Sequence, residues 1–351
     1  MITVPIGTQS PYPVLIGEGI LDSAGRLLAD VHAPCRAAVV TDSNVAPLYA
    51  PRLEASLRQS GFTPCRFTFP AGEASKQLST FSDAVRFLAG NGVTRADLVI
   101  TLGGGVAGDL GGFAAACWQR GISFAQVPTS LLCAVDASVG GKTAVDLPEG
   151  KNLVGAFHQP CAVICDPGTF QTLDSLRMAD GAAESVKHGL IADAGLFSDM
   201  KSGAWRQDLS RTVERNVLVK RAFVVGDEHD RGQRQLLNFG HTIGHAVEAL
   251  SDYQLSHGQA VAIGMAAETR AARRMGFGSV HEDEVIEALD AAGLPHVCPF
   301  SSTEVEAVAL GDKKRAGDTI TVGALRAVGE GFLEKLDLAY FRRFVALGVD
   351  A

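Results

Sequence analysis

Three of the nine histidines in this 351-residue chain fall within 17 residues, at positions 241, 245 and 257. In the run Leu236-Leu237-Asn238-Phe239-Gly240-His241-Thr242-Ile243-Gly244-His245, helical spacing places His241 and His245 one turn apart on one face. Leu255-Ser256-His257-Gly258 follows. The pair resembles half of an H-E-x-x-H site, but the glutamate that would act as general base is missing, which excludes a metalloprotease. A lone histidine is more often a satisfied structural residue. A cluster of three points instead to a divalent metal, with His241 and His257 the leading ligand candidates. A catalytic metal also wants a carboxylate or third imidazole, and one position for substrate. Glu184, in Gly181-Ala182-Ala183-Glu184-Ser185-Val186-Lys187-His188, is the best carboxylate. Pairing of Glu184 with His188 one turn on, or a plain ion pair with Lys187, fits the spacing equally.

Two glycine clusters suit anions. Gly103-Gly104-Gly105-Val106-Ala107-Gly108-Asp109 follows an apolar strand and opens a helix. Glycine lets backbone approach a pyrophosphate, and a helix N-terminus offers N–H groups and a favourable dipole. The same cluster would also serve as a tight strand–helix turn. It departs from the usual dinucleotide fingerprint, in which a ribose-binding acid comes about 20 residues after the glycines. Here the best acid at a strand end, Asp42, precedes them. The second cluster, Asp136-Ala137-Ser138-Val139-Gly140-Gly141-Lys142-Thr143, has aspartate where a P-loop needs its first glycine, so an NTPase is rejected. Lys142 beside flexible backbone N–H groups, with Lys151-Asn152 nearby, still reads as an anion seat.

These groups must be held by two kinds of architecture. Short apolar runs at 37–41, 98–102, 123–127 and 162–165 end in turn residues or proline, and helical spacing fills 50–60 and 79–91. Alternation of this kind predicts a parallel sheet covered on both faces. Beyond Pro167 apolar residues recur at three- and four-residue steps through 183–194, 209–225, 242–250, 260–275 and 282–292, with a short hairpin near 319–325. The expectation is an α/β, Rossmann-like domain over 1–168 and a mainly α-helical domain over 169–351. A net charge of −8 argues against a nucleic-acid binder. No run approaches 18 apolar residues, and no basic start precedes an apolar stretch, so neither a membrane span nor a signal peptide is expected. Seven scattered cysteines without a CxxC read as reduced thiols and make the cytoplasm the default.

With these motifs assembled, the chain resembles the 3-dehydroquinate synthase family of sugar phosphate cyclases. The resemblance runs through 103–109, 126–143, Lys151 to Pro160, Glu184 with Lys187, Arg234 with 237–245, and His257-Gly258, and it covers essentially the whole chain. It implies an N-terminal NAD-binding domain and a C-terminal metal- and substrate-binding domain, with zinc or cobalt on Glu184, His241 and His257. It further implies that His245 is an acid/base group and that Asp230 stands among the catalytic residues with Lys142, Lys187, Arg234 and Asn238. For NAD it points to Asp42, Glu73, Lys76, Gly103, Gly104, Gly105, Asp109, Thr129, Ser130, Asp136, Lys142, Lys151, Thr169 and Thr172. For substrate it points to Arg120, Asp136, Lys142, Asn152, Lys187, Lys220, Arg234, Asn238, Lys313 and Lys314, Arg120 being supplied across a homodimer interface. The implied reaction is a carbon–oxygen lyase cyclisation. A seven-carbon keto acid phosphate loses phosphate to give 3-dehydroquinate, with no net redox change.

Two positions depart from the family's commonest pattern. Gln259 stands where a glutamate usually follows His257-Gly258, and Asp230 replaces a glutamate. Gln259 removes a charge that could orient a metal-bound histidine. The two changes keep the amino analogue of the same substrate, used in antibiotic biosynthesis, as a second reading. A metal-dependent polyol dehydrogenase is a third, and it would not need Lys142, Lys151, Asn152, Lys187 and Arg234 together.

Overall fold

The structure is a computed structural model and describes residues 1–312 and 319–350; the expected substrate lysines 313 and 314 lie outside the described residues. The chain divides into two units, Met1–Asp174 and Ser175–Ala351. The line expected at 168/169 falls inside the 3-10 turn Pro167–Thr172, which belongs to the first unit. There the Tyr49 hydroxyl donates to the Thr169 carbonyl at 2.8 Å and lies 2.7 Å from the Thr172 hydroxyl.

The first unit contains strands β1 (Ile2–Ile6), β2 (Tyr12–Ile16), β3 (Arg36–Asp42), β4 (Thr63–Phe69), β5 (Leu98–Gly103), β6 (Ser123–Pro128), β7 (Lys142–Leu147), β8 (Gly150–Phe157) and β9 (Ala162–Cys165). Its helices are α1 (Ala24–Ala29), α2 (Ala46–Gln59), α3 (Leu78–Gly90) and α4 (Gly105–Cys117). Seven strands form one sheet in the order β1-β2-β9-β6-β5-β3-β4. It is parallel as expected except at one edge, where β1 and β2 make an antiparallel hairpin.

Alternation along the central strands sends side chains to two separate cores. Val39, Ile100 and Leu102 pack with Leu53 and Leu57 of α2 on one face. Val40 and Val99 pack with Leu88 of α3 and Leu110 of α4 on the other. Both faces are buried, and β5 is accordingly buried along its whole length and apolar except at Thr101.

The second unit carries α5 (Ser175–Ala192), α6 (Ala194–Ser202), α7 (Leu209–Gly226), α8 (His241–Leu250), α9 (His257–Arg274), α10 (Glu282–Ala292), α11 (Ser302–Asp312) and α12 (Leu338–Val349). The expected short hairpin is longer, β10 (Thr319–Ala327) paired antiparallel with β11 (Glu330–Asp337). Its buried Val322 and Ala324 face Ile243, Ile263, Phe341 and Phe344 in the core of this unit.

Glycines set the helix spacing there. A Cβ on Gly264 of α9 would lie 1.8 Å from the Gly240 carbonyl oxygen and 2.8 Å from the Gly244 nitrogen of α8. A Cβ on Gly258 would lie 2.4 Å from the Asp180 Cα of α5. These contacts are with backbone, so only glycine allows α9 to meet both neighbours this closely.

Candidate active site

That crossing brings the expected ligands together. His241 is the first residue of α8, His257 the first of α9, and Glu184 lies on α5 one turn beyond Asp180. Glu184 is fully buried, and its Oε1 is 3.6 Å from His241 Nε2 and 3.3 Å from His257 Nε2. Donors at 2.0–2.2 Å around a tetrahedral ion stand about 3.3–3.6 Å apart, so this set fits a divalent metal in both chemistry and spacing. Lys187, also buried, pairs with the other carboxylate oxygen of Glu184. The plain ion pair and the ligand set therefore coexist. His188 turns its Nδ1 to Asn216 Oδ1 at 2.9 Å.

Burial and the Lys187 ammonium hold the His241 imidazole well below its ordinary pKa against the opposing pull of Glu184, leaving it in the neutral, metal-binding form. His257 moves the other way. Burial disfavours its charge, but Glu184 and Glu248 outweigh that and raise it to about 10.

Three supporting residues were not singled out by sequence reasoning or were misread by it. Glu248, buried on α8, places Oε2 3.6 Å from His257 Nδ1. Its signal was its position one turn beyond His245 on the face that carries His241. Glu268, fully buried on α9, accepts from the Gly240 N–H at 2.9 Å and the Ile243 N–H at 3.1 Å. It thereby caps α8 where His241 begins, a contact between distant residues that no local pattern announces.

Gln259 corrects an expectation. Its Oε1 accepts from the Ser256 N–H at 3.0 Å while its own N–H donates to Ser256 Oγ, forming a capping box. Glutamine performs this task as well as glutamate, and the carboxylate beside His257 is supplied by Glu248. Ser256 in turn donates to Asp180, tying the start of α9 to α5.

The remaining groups of this unit surround the set to different degrees. His245 is exposed, its ring centroid 5.1 Å from that of His241 and 6.0 Å from that of His257. Lys220 is buried on α7. Arg234 is buried in the 3-10 turn Gln233–Asn238; its Nη1 donates to the Glu228 carbonyl at 2.6 Å and its backbone N–H to Asp227. Asp227 also accepts from the N–H groups of Arg231 and Gly232, fixing the loop on which Asp230 sits with φ 56°. Asn238 is exposed at the end of that turn.

In the first unit, Asp42 ends β3 beside Gly103 at the end of β5, the carboxyl edge where ligands bind open parallel sheets. Asp42 Oδ1 accepts from the Asn44 and Val45 N–H groups, and its Oδ2 is 3.5 Å from where a Gly103 Cβ would stand. Gly104 caps α4, which begins at Gly105. The Thr129 N–H donates to the Gly103 carbonyl at 2.9 Å, and Ser130 Oγ lies 3.4 Å from a Gly104 Cβ position. The glycines, buried at Gly103 and half-buried at Gly104 and Gly105, leave the N-terminus of α4 without side chains at a strand end, and this fits a pyrophosphate.

Lys76 is buried beside Asp109 Oδ2 at 2.6 Å, near Glu73 at 4.0 Å, and donates to Asn152 Oδ1. Burial disfavours its charge, but Asp109 and Glu73 outweigh that and raise its pKa. Lys151 stands 3.5 Å from Glu73. Lys76 thus joins the turn holding Glu73, α4 and the β7–β8 hairpin through Asn152, which adopts φ 57°.

Asp136 lies in the π-turn Cys133–Ala137 and Lys142 opens β7, exposed. The loop before Lys142 is pinned where flexibility was expected, because the Gly140 N–H donates to the Tyr12 hydroxyl at 3.1 Å. Arg120 is exposed in a turn with φ 69°.

Comparison with known proteins shows the family. Residues 66–180 match the 3-dehydroquinate synthase N-terminal family and 181–315 the 3-dehydroquinate synthase C-terminal family. A 3-dehydroquinate synthase of Streptococcus suis is 42% identical over 345 residues, covering 96% of this chain and 97% of that protein. The 2-epi-5-epi-valiolone synthase of Streptomyces hygroscopicus, solved with NAD+ and Zn2+ bound, superposes with TM-score 0.86 at 27% identity, over 96% of this chain and 95% of that one. A 2-deoxy-scyllo-inosose synthase solved with carbaglucose-6-phosphate, NAD+ and Co2+ shares the fold, with TM-score 0.85 at 22% identity over 99% of this chain and all of that one. The family matches and these relatives together place the chain among the sugar phosphate cyclases. Within that class, the chain belongs to the 3-dehydroquinate synthase family.

Proposed function

We propose that this chain converts a seven-carbon keto acid phosphate to 3-dehydroquinate with release of phosphate. The observation that carries the reading is the buried Glu184 oxygen at 3.3 and 3.6 Å from two imidazole nitrogens in a chain of this family. The first unit, in this reading, holds NAD. Asp42 takes the adenosine ribose and Gly103, Gly104 and Gly105 the pyrophosphate, while Glu73, Lys76, Asp109, Thr129, Ser130, Asp136, Lys142, Lys151, Thr169 and Thr172 complete the cofactor contacts. The second unit holds zinc or cobalt on Glu184, His241 and His257. When bound, NAD supplies a reversible hydride acceptor and the metal a Lewis acid, so the reaction ends without net redox change.

The chain's own groups bind and move protons. Arg234 presents a planar fork suited to the substrate carboxylate, its Nη1 held by the Glu228 carbonyl and its backbone N–H by Asp227. Lys142, Lys187, Lys220, Asn152 and Asn238 hold the phosphate and hydroxyl oxygens, with Asp136, and with Arg120 contributed by the second copy of a homodimer. His245, exposed at the edge of the metal set, exchanges protons near the phosphate, with Asp230 as its acidic companion. Among the described residues no helix is long and apolar enough to cross a membrane, and the scattered cysteines suit a cytoplasmic enzyme.

The amino analogue loses its main support once Gln259 is seen to cap a helix. The relatives at about 40% identity are named for 3-dehydroquinate. The test is an assay of phosphate release with each keto acid phosphate, monitoring NADH. Phosphate release without NADH accumulation is expected; stoichiometric NADH would make the chain a dehydrogenase.

A further inference from the structure

Among the acidic side chains of the second unit, Glu248 is buried with 4% of its surface exposed; it lies outside the expected ligand set of Glu184, His241 and His257, although its carboxylate also falls within ligand reach of His245 and His257. A carboxylate taken from water needs a cationic or hydrogen-bonding counterpart. On α8, Glu248 stands seven residues after His241 on the face that also carries His245. Its Oε2 is 3.6 Å from His257 Nδ1, while the opposite ring nitrogen, Nε2, is 3.3 Å from Glu184 Oε1. The two nitrogens of one imidazole are therefore divided between two carboxylates. Nε2 faces the proposed ligand set, and Nδ1 faces Glu248.

We infer that Glu248 is a positioning residue for the metal site, accepting the Nδ1–H of His257 so that Nε2 is the nitrogen presented to the ion. The inference rests on the proposed metal set and adds to it the group that fixes the tautomer and orientation of one ligand. Carboxylates behind metal-bound histidines raise ligand basicity, and their loss weakens metal affinity by about 10–100-fold. The same α8 thus supplies one ligand, His241, and the support for another. Glu268 holds the start of this helix by accepting from the Gly240 and Ile243 N–H groups.

The experiment titrates the full-length apoprotein with Zn2+ against a competing chromophoric chelator, and with Co2+ while its visible absorption is recorded. Wild type should bind one ion. Glu184→Ala and His257→Ala should abolish that binding. Glu248→Ala should weaken it by about 10–100-fold at unchanged stoichiometry, with a shifted cobalt spectrum. Glu248→Gln keeps an acceptor oxygen and loses the charge, so it should fall between wild type and alanine. Its apoprotein should melt within a few degrees of wild type, which separates positioning from a loss of fold.

If Glu248→Ala does not fold, Glu248→Gln decides alone, and wild-type affinity with a wild-type spectrum overturns the inference. Wild-type affinity in both Glu248 variants, with binding still lost in Glu184→Ala, overturns the positioning role and leaves the ligand set standing. Wild-type affinity in Glu184→Ala overturns the ligand set itself. Loss of a second bound equivalent in the Glu248 variants would make Glu248 a ligand and overturn the positioning role.

Discussion

Replacing Gly264 by alanine tests whether the helix crossing makes the metal site. In an ordinary helix interior the change gains about 1 kcal/mol from backbone entropy. Here the added Cβ would meet the Gly240 carbonyl oxygen at 1.8 Å, against the roughly 3.0 Å below which real Cβ contacts essentially do not occur. The obstacle is backbone and cannot rotate away, so α8 and α9 must part by about 1.2 Å, the difference between those two distances. Overpacking of this kind costs about 1–3 kcal/mol or more, which outweighs the propensity gain. Metal–ligand distances tolerate only about 0.2 Å, so separating His241 from His257 by several times that should cost far more affinity than stability.

We expect Gly264→Ala to lower the melting temperature by a few degrees and to weaken Zn2+ binding at least about 100-fold. The control is Gly90→Ala at the end of α3, where nothing lies within 4 Å of the added carbon. It should be neutral or stabilising and leave metal binding unchanged. A Gly264→Ala protein as stable and as tightly metallated as the control would refute the reasoning.

Three further outcomes follow from the same geometry. Arg234→Lys keeps the charge and loses the planar fork, so the KM for the keto acid phosphate should rise at least tenfold while that for NAD stays within twofold, by about the margin expected for a bidentate contact; parallel changes would contradict the carboxylate role. Asp42→Ala should raise the NAD concentration needed for half-maximal rate without altering metal content, as equilibrium dialysis would show. Asp193 caps α6 by accepting from the Leu196 N–H at 3.0 Å and pairs with Arg215. Burial alone would raise its carboxyl, but Arg215 and the backbone donors outweigh this and hold it below the ordinary 3.8. Its stabilisation is therefore complete above that value and lost as pH falls through the lower folded one. Asp193→Ala should cost about 0.5–2 kcal/mol at pH 7 by urea unfolding, with the gap to wild type closing in acid.

The amino-acid sequence was sufficient for whatever is written locally. Apolar runs stopped by turn residues marked β3, β5, β6 and β9 because a buried parallel strand is hydrophobic throughout. Three- and four-residue apolar steps marked α7, α8, α9 and α10 because one helical stripe faces the core. The clustering of His241, His245 and His257 pointed to a metal, while spacing left His188 and Lys187 as rival partners for Glu184, and only the family resemblance named Glu184, His241 and His257 together. How near Glu184 comes to His241 and His257 is a tertiary matter, set by how closely α5, α8 and α9 approach, and Gly258 and Gly264 govern that approach. The same holds for Gln259, which looks like a missing charge in the chain and is a helix cap in space. Glu248 and Glu268 complete the contrast. Each is one more helical glutamate in the sequence, and burial beside a histidine ring or a helix terminus, set by residues far along the chain, gives each its part in the site.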